Sequence, residues 1–190
     1  GDYCPGVGHP GQGGAGGNGG AVAIDGSADT DQIVCGSQFV NNRSNELAGA
    51  IFRTPNQMSR LTRIDRSLFK GNSARQGGAL FISNSNPFDL LSTTFQDNTA
   101  RTMGAAQIDR SRANIVNSTF VNNSATNGLG GALFFGATNA QSVIRNATFS
   151  DNKSEGGSGL FSAALAGTLN FNIFNPVFAN NTTRDAGAPT

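Results

Sequence analysis

Large apolar residues recur along this chain with a long period, and polar residues recur with them at fixed offsets. Phenylalanine followed three residues later by asparagine occurs at Phe39/Asn42, Phe69/Asn72, Phe95/Asn98, Phe120/Asn123, Phe149/Asn152 and Phe178/Asn181. Successive copies stand 25 to 30 residues apart. A large apolar residue and a turn-forming amide repeating at such an interval are the pattern of a solenoid. A second column stays in phase with the first: Gly20-Ala21-Val22, Gly49-Ala50-Ile51, Gly78-Ala79-Leu80, Gly104-Ala105-Ala106 and Gly131-Ala132-Leu133, with a degenerate Ser158-Gly159-Leu160. A third lies five residues before each Phe, at Val34, Ile64, Leu90, Ile115, Ile144 and Ile173. Two residues before Phe the side chain is always compact: Ser37, Ser67, Thr93, Ser118, Ala147 or Pro176.

These columns predict the elements of one coil. Residues 78–82 form a strand, a polar loop follows over 83–87, and a second strand passes through Leu90. The odd offset between Leu90 and Phe95 demands a bend, because side chains alternate along a strand. Asn117, Asn146 and Asn175 lie at that bend in later coils, and Asn tolerates the left-handed region. A third strand carries Thr94-Phe95, and a turn through Asn98 returns the chain to the next Gly-Ala. Three short parallel strands per coil, stacked about 4.8 Å apart, predict an all-β, single-domain, right-handed parallel β-helix. About six coils are expected over residues 21–190, with the Gly-rich residues 1–20 as a cap or partial coil. Gly187-Ala188 opens a further copy, which implies a longer parent chain or end-to-end stacking of copies. The six Phe form an inward ladder in this reading, and the Asn side chains pass hydrogen bonds from coil to coil. Phe52, Phe81, Phe134 and Phe161 follow Gly-Ala, so little aromatic content remains for a binding platform.

Composition narrows the picture. Among 190 residues there are 26 Gly and 14 Phe but no Trp, and charged residues make up 13%, about half the usual share. Low charge with only 6 Pro argues against disorder. The net charge of +1 supplies no bulk attraction to nucleic acid or to membrane surfaces. No apolar run approaches the roughly 20 residues of a membrane span. Cys4 and Cys35 lie 31 apart, about one coil. A disulfide stapling the N-terminus to the first coil is expected in an oxidising compartment, with two buried thiols as the alternative. With His9 as the single histidine, a thiolate–imidazole zinc site lacks ligands.

The paired motifs, Gly-Gly-Ala with an aliphatic residue and Phe-x-x-Asn, resemble the repeats of the chlamydial polymorphic membrane proteins and, more broadly, secreted proteins with pectate-lyase-like β-helix repeats. The glycine motif is complete at 19–22, 77–80 and 130–133, and altered at Ala48-Gly49-Ala50, Met103-Gly104-Ala105 and Ser158-Gly159. The first resemblance implies surface-exposed adhesive passengers of autotransporters. The second implies the fold alone, since no catalytic motif of the lyases is recognisable.

Candidate chemistry is sparse. Polysaccharide-cleaving β-helices need clustered carboxylates with a nearby cation. The candidates here are Asp65-Arg66 and Asp109-Arg110, two copies of one tetrapeptide in different phases of the coil; local surface pairing is the alternative. Asp25, Asp29 and Asp31 fall within seven residues, a conceivable Ca²⁺ loop or a solvated acidic turn. Seven of the thirteen basic residues lie between 43 and 75. Of these, Arg53, Arg60, Arg63 and Arg66 are candidates for an anionic glycan, with dispersed surface charge offset by Glu46 and Asp65 as the alternative. Thr94, Thr119 and Thr148 are expected to form a short outward stack, too few for an ice-binding face. Seven Asn-x-Ser/Thr triplets, among them Asn42, Asn117 and Asn146, follow from composition. The expected function is a secreted or cell-surface structural or adhesive module without catalytic activity. Its expected partners are other copies, a parent chain, a glycan or a cell surface. The alternative is a carbohydrate-binding or polysaccharide-cleaving β-helix.

Overall fold

The computed structural model describes residues 17–26, 30–56, 60–136, 141–163 and 170–184. All regular structure among these residues is strand, and every strand pair is parallel. Four sheets run along the molecule. The first stacks Val22–Gly26, Ile51–Pro55, Leu80–Ser83, Ala106–Asp109, Leu133–Phe135 and Leu160–Ser162. The second stacks Gln32–Cys35, Thr62–Asp65, Phe88–Leu91, Ala113–Val116, Ser142–Arg145 and Phe171–Phe174. The third holds the Phe of each repeat, from Gln38–Val40 to Val177–Ala179, and the fourth runs from Ser73–Gln76 to Thr182–Thr183. Five complete four-strand circuits thus follow a first circuit with three named strands, and the chain is a parallel β-solenoid.

The fourth sheet departs from the expected three strands per coil. Its members follow Phe-x-x-Asn directly, where a turn was expected. They are two to four residues long and mostly small or polar, as in Ser124–Ala125, Lys153–Ser154 and Thr182–Thr183. A segment that short shows no alternation. It becomes a strand because the coils above and below offer it parallel hydrogen bonds.

What makes each circuit close is a set of three corners in left-handed backbone. The residue three before Phe has φ between 46° and 60° at Gly36, Arg66, Ser92, Asn117, Asn146 and Asn175. The residue two after Phe has φ between 52° and 64° at Asn41, Gly71, Asp97, Asn122, Asp151 and Asn180. The residue before the Gly-Ala position has φ between 57° and 69° at Gly19, Ala48, Gly77, Met103, Gly130 and Gly157. Asn is the favoured non-glycine residue there; Arg66, Ser92, Ala48 and Met103 pay a local conformational cost imposed by the stack. The glycine after the third corner is needed for space. A Cβ on Gly49 would overlap the Gly78 carbonyl oxygen of the next coil, and one on Gly104 would overlap that of Gly131.

The interior is a set of ladders. Rings of Phe39, Phe69, Phe95, Phe120, Phe149 and Phe178 stack with centroids 4.7 to 5.0 Å apart. Ile64, Leu90, Ile115 and Ile144 face them, wholly buried, with Leu80 and Leu133 from the first sheet. Beside the rings runs the Asn ladder. In each coil the backbone N and Nδ2 of Asn donate to Oδ1 of the next Asn at 2.8 to 3.1 Å, from Asn42 through Asn152 to Asn181. From Asn72 onward Nδ2 also donates back to the carbonyl of the preceding coil's Phe. Backbone groups that the corner would strand in an apolar interior are thereby satisfied. A shorter hydroxyl ladder, which the sequence showed only as compactness, runs alongside: Ser37 N to Ser67 Oγ, Ser67 N to Thr93 Oγ1 and Thr93 N to Ser118 Oγ. It stops at Ala147, which has no hydroxyl. Of the expected cap over residues 1–20, only 17–20 are described; Asn18 Oδ1 accepts from Leu47 N, and Gly19 N donates to Leu47 O.

Candidate functional site

Strand ends and corners decide where the candidate side chains stand. Asp65 closes a strand of the second sheet and Asp109 closes a strand of the first, two circuits later. Arg66 and Arg110 follow them in left-handed backbone, with φ of 47° and 43°. The two tetrapeptides therefore occupy different corners, and their carboxylates do not converge. Asp65 is instead paired locally, its Oδ2 accepting from Arg66 Nε at 3.2 Å.

Among the described residues, Asp109 is the one carboxylate in an unusual environment. Its Oδ2 accepts from Gln107 Nε2 at 2.6 Å, on the outer side of the first sheet beneath the Gly136 backbone. Desolvation pushes its carboxyl above the ordinary value of 3.8, opposed by the Gln107 hydrogen bond and the charge of Arg110. A carboxyl whose folded value is raised contributes stability fully present below the unfolded value and lost as pH rises through the folded one. Asp109→Asn should therefore unfold at the same denaturant concentration as the parent in acid, and at a higher one at neutral pH. Unfolding curves across that range check this, and equal midpoints at neutral pH would refute it. The new amide could also donate to Gln107 Oε1, which is buried without a partner.

The aspartates proposed for Ca²⁺ are partly placed. Asp25 Oδ1 accepts from Thr54 Oγ1 at 2.9 Å, and Asp31 Oδ1 from Leu61 N at 3.0 Å; Asp29 lies outside the described residues. Among those residues no three His, Cys, Asp or Glu side chains come together as metal ligands. Cys35 is exposed, and its Sγ accepts from Arg66 Nη2 at 3.0 Å. Cys4, its expected disulfide partner, lies outside the described residues.

The basic segment does not form one surface patch. Arg53 is 0% exposed, because register places it in an inward column of the first sheet between Ile24 and Ile82. Its Nε donates to Thr62 Oγ1 at 2.7 Å and its Nη2 to Thr30 O at 2.6 Å, while Nη1 has no partner. Desolvation lowers its pKa, with Asp31 opposing the shift. Arg53 therefore leaves the set of candidate glycan contacts: the repeat puts an inward position where composition alone suggested a surface cation. Arg63 is engaged with Asp89 at 2.9 Å, and Arg75 with Glu46 at 2.6 Å. Arg60 is half-buried, with Nε unpartnered. A buried cation without a carboxylate partner is costly. Arg53→Met should match or exceed the parent's stability, by up to about 4 kcal/mol. A loss above about 2 kcal/mol in chemical denaturation would show that the Thr62 and Thr30 bonds outweigh desolvation.

A surface groove of about 390 Å³ lies elsewhere, lined by Val121, Asn122, Asp151, Lys153, Asn180 and Thr182. It spans three successive circuits at the corner between the third and fourth sheets. Asn122, Asp151 and Asn180 are the left-handed corner residues, so their side chains stack outward one coil apart. Nothing in the sequence joined these six positions, since none belongs to an inward column. Of the Asn-x-Ser/Thr triplets, Asn117, Asn122, Asn146 and Asn180 are exposed, whereas Asn152 is buried in the ladder. Thr94, Thr119 and Thr148 stand in register on the third sheet, half-buried.

Compared with known proteins, this chain matches no family model, no curated protein and no solved structure.

Proposed function

We propose that this chain is a secreted or cell-surface structural and adhesive module that works by presenting side chains on a rigid rod rather than by catalysis. The observation that carries this reading is the direction of the repeat. The Phe and Asn columns of the repeat, from Phe69 to Asn152, point inward and are spent on ladders, while the outward positions vary from coil to coil. The two Asp-Arg pairs favour it as well, standing at different corners with Asp65 and Asp109 each closed on a neighbour. The resemblance of the motifs to chlamydial surface passengers points the same way, although function belongs to grafted sites rather than to the fold.

A second reading, carbohydrate binding, is favoured by the groove at Asn122, Asp151, Lys153 and Asn180. Amide, carboxylate, ammonium and hydroxyl groups along a shallow channel match the donors and acceptors of sugar hydroxyls. One experiment separates the readings. The purified chain, immobilised on beads, is offered to cells, to extracellular matrix and to a panel of soluble polysaccharides, with product release followed in parallel. The adhesive reading expects retention of cells or matrix that survives Asp151→Ala and Lys153→Ala. The second expects polysaccharide retention abolished by those substitutions. Release of shortened chains would overturn both.

A further inference from the structure

We infer that the Asn127-Gly128 peptide is a site of spontaneous covalent modification: Asn127 converts to aspartate and isoaspartate with loss of ammonia, and the change loosens the hold of the later circuits on this turn. The site arises from a mismatch in length. From Ser124 to the left-handed Gly130 the chain takes six residue steps, against four from Thr99 to Met103 in the coil before and four from Lys153 to Gly157 in the coil after. Two residues are therefore surplus. Coil-to-coil hydrogen bonds continue through Thr126 N and Asn127 N, donating to Ala100 O and Arg101 O, and are next made by Gly130 N, donating to Gly156 O. Between them the Gly128 N–H donates to no described residue. The Asn127 side chain is exposed and makes no hydrogen bond with a described residue.

A nucleophile and an electrophile are thus adjacent and free. Glycine has no Cβ to hinder ring closure between its own nitrogen and Asn127 Cγ, and the step is intramolecular. Gly128 N gives its proton to solvent and bonds to Cγ; the Cγ–Nδ2 bond breaks, and ammonia leaves after taking up a proton. Water then opens the cyclic imide. Attack at Cγ gives aspartate. Attack at the Asn127 carbonyl carbon gives isoaspartate, whose main chain runs through Cγ and is one carbon longer. The position also requires its glycine: a Cβ on Gly128 would stand 2.9 Å from Thr102 Cγ2 and 3.0 Å from its Cα. The chain holds one other Asn-Gly pair, Asn18-Gly19, and there both groups are engaged. Gly19 N donates to Leu47 O at 2.8 Å, and Asn18 Oδ1 accepts from Leu47 N at 3.2 Å. Two anchors flank the free pair. Thr126 O accepts from Arg184 Nη2 at 2.6 Å and Gly128 O from Glu155 N at 2.8 Å, with Arg184 and Glu155 themselves 3.8 Å apart. An extra main-chain carbon between the two acceptors changes their spacing, so the isoaspartyl form cannot hold both bonds.

This site is independent of the adhesive reading, and its test needs no ligand. The full chain is kept folded in mildly alkaline buffer, and samples taken over time are digested and mapped by mass spectrometry. Asn127 should gain the mass that separates hydroxyl from amine and split into two isomeric peptides, one of which accepts a methyl group from an isoaspartyl methyltransferase. Asn18 should convert at least about tenfold more slowly, since two hydrogen bonds must open first. In denaturant the two pairs should convert at similar rates. Hydrogen exchange at the Glu155 amide should be at least about tenfold faster in the aged chain, and unchanged over the same period in Asn127→Gln. An Asn127 that outlasts Asn18, or that stays intact in the folded chain while converting in denaturant, would overturn the site. Conversion without faster exchange at Glu155 would overturn the loosening.

Discussion

Phe120→Ala is expected to lower the unfolding free energy by about 3–5 kcal/mol. The ring is wholly buried, with Phe95 stacked 4.8 Å away on one side and Phe149 5.0 Å away on the other. Truncation removes the transfer free energy of the ring and leaves a gap that neighbours one coil away cannot close, because each is held by its own corners. The same substitution at Phe178, half-exposed and stacked on one side only, should cost clearly less. Urea denaturation of both variants checks the pair. A Phe120→Ala loss below about 1 kcal/mol, or equal losses at the two positions, would mean that the aromatic column does not hold the rod together.

Asn123→Ala is the second large effect, and its origin is polar. Asn123 Oδ1 accepts from both N and Nδ2 of Asn98, and its Nδ2 donates to Phe95 O and Asn152 Oδ1, all at 3.0 Å. Alanine would leave Asn98 N without a partner in the interior, at about 1–3 kcal/mol, and would remove the bonds from Asn98 Nδ2 and to Phe95 O, at about 0.5–1.5 kcal/mol each. The expected loss is about 2–6 kcal/mol, with faster hydrogen exchange at the Asn98 amide. Asn123→Asp keeps the acceptor but puts a carboxylate in an apolar interior, which raises its folded pKa. Its stability should therefore be greatest in acid and fall as pH rises through that value. If Asn123→Ala lost no more than Asn114→Ala on the outer face, the ladder would be incidental.

Much of the solenoid was legible in the residues because each inward position is repeated in register. Phe, Asn and the aliphatic column keep constant offsets through six copies, and a constant offset in a stacked fold is a constant place in the cross-section. The corner at Asn117, Asn146 and Asn175 was readable for the same reason, with a side chain that signals left-handed backbone. The equivalent Arg66 and Ser92 carry no such signal; their conformation comes from stacking on neighbours that have already turned. The fourth sheet was invisible because strands of two to four small residues do not alternate detectably. The groove at Val121, Asn122, Asp151, Lys153, Asn180 and Thr182 was invisible because outward positions are free to vary, so no pattern links one coil to the next.

Arg53 shows most plainly how the two kinds of information divide. By itself, the sequence determined that the chain winds into parallel coils and which residues fill the centre, since burying apolar side chains at a fixed period admits few other solutions. Only the tertiary structure decided where the polar residues outside the Asn column went. It placed Arg53 inward between Ile24 and Ile82, and Asp109 against Gln107. The physical reason is that apolar burial follows the period of the chain. The surroundings of a charge or an amide follow strand register, corner dihedrals and loops of unequal length, and no residue type records these.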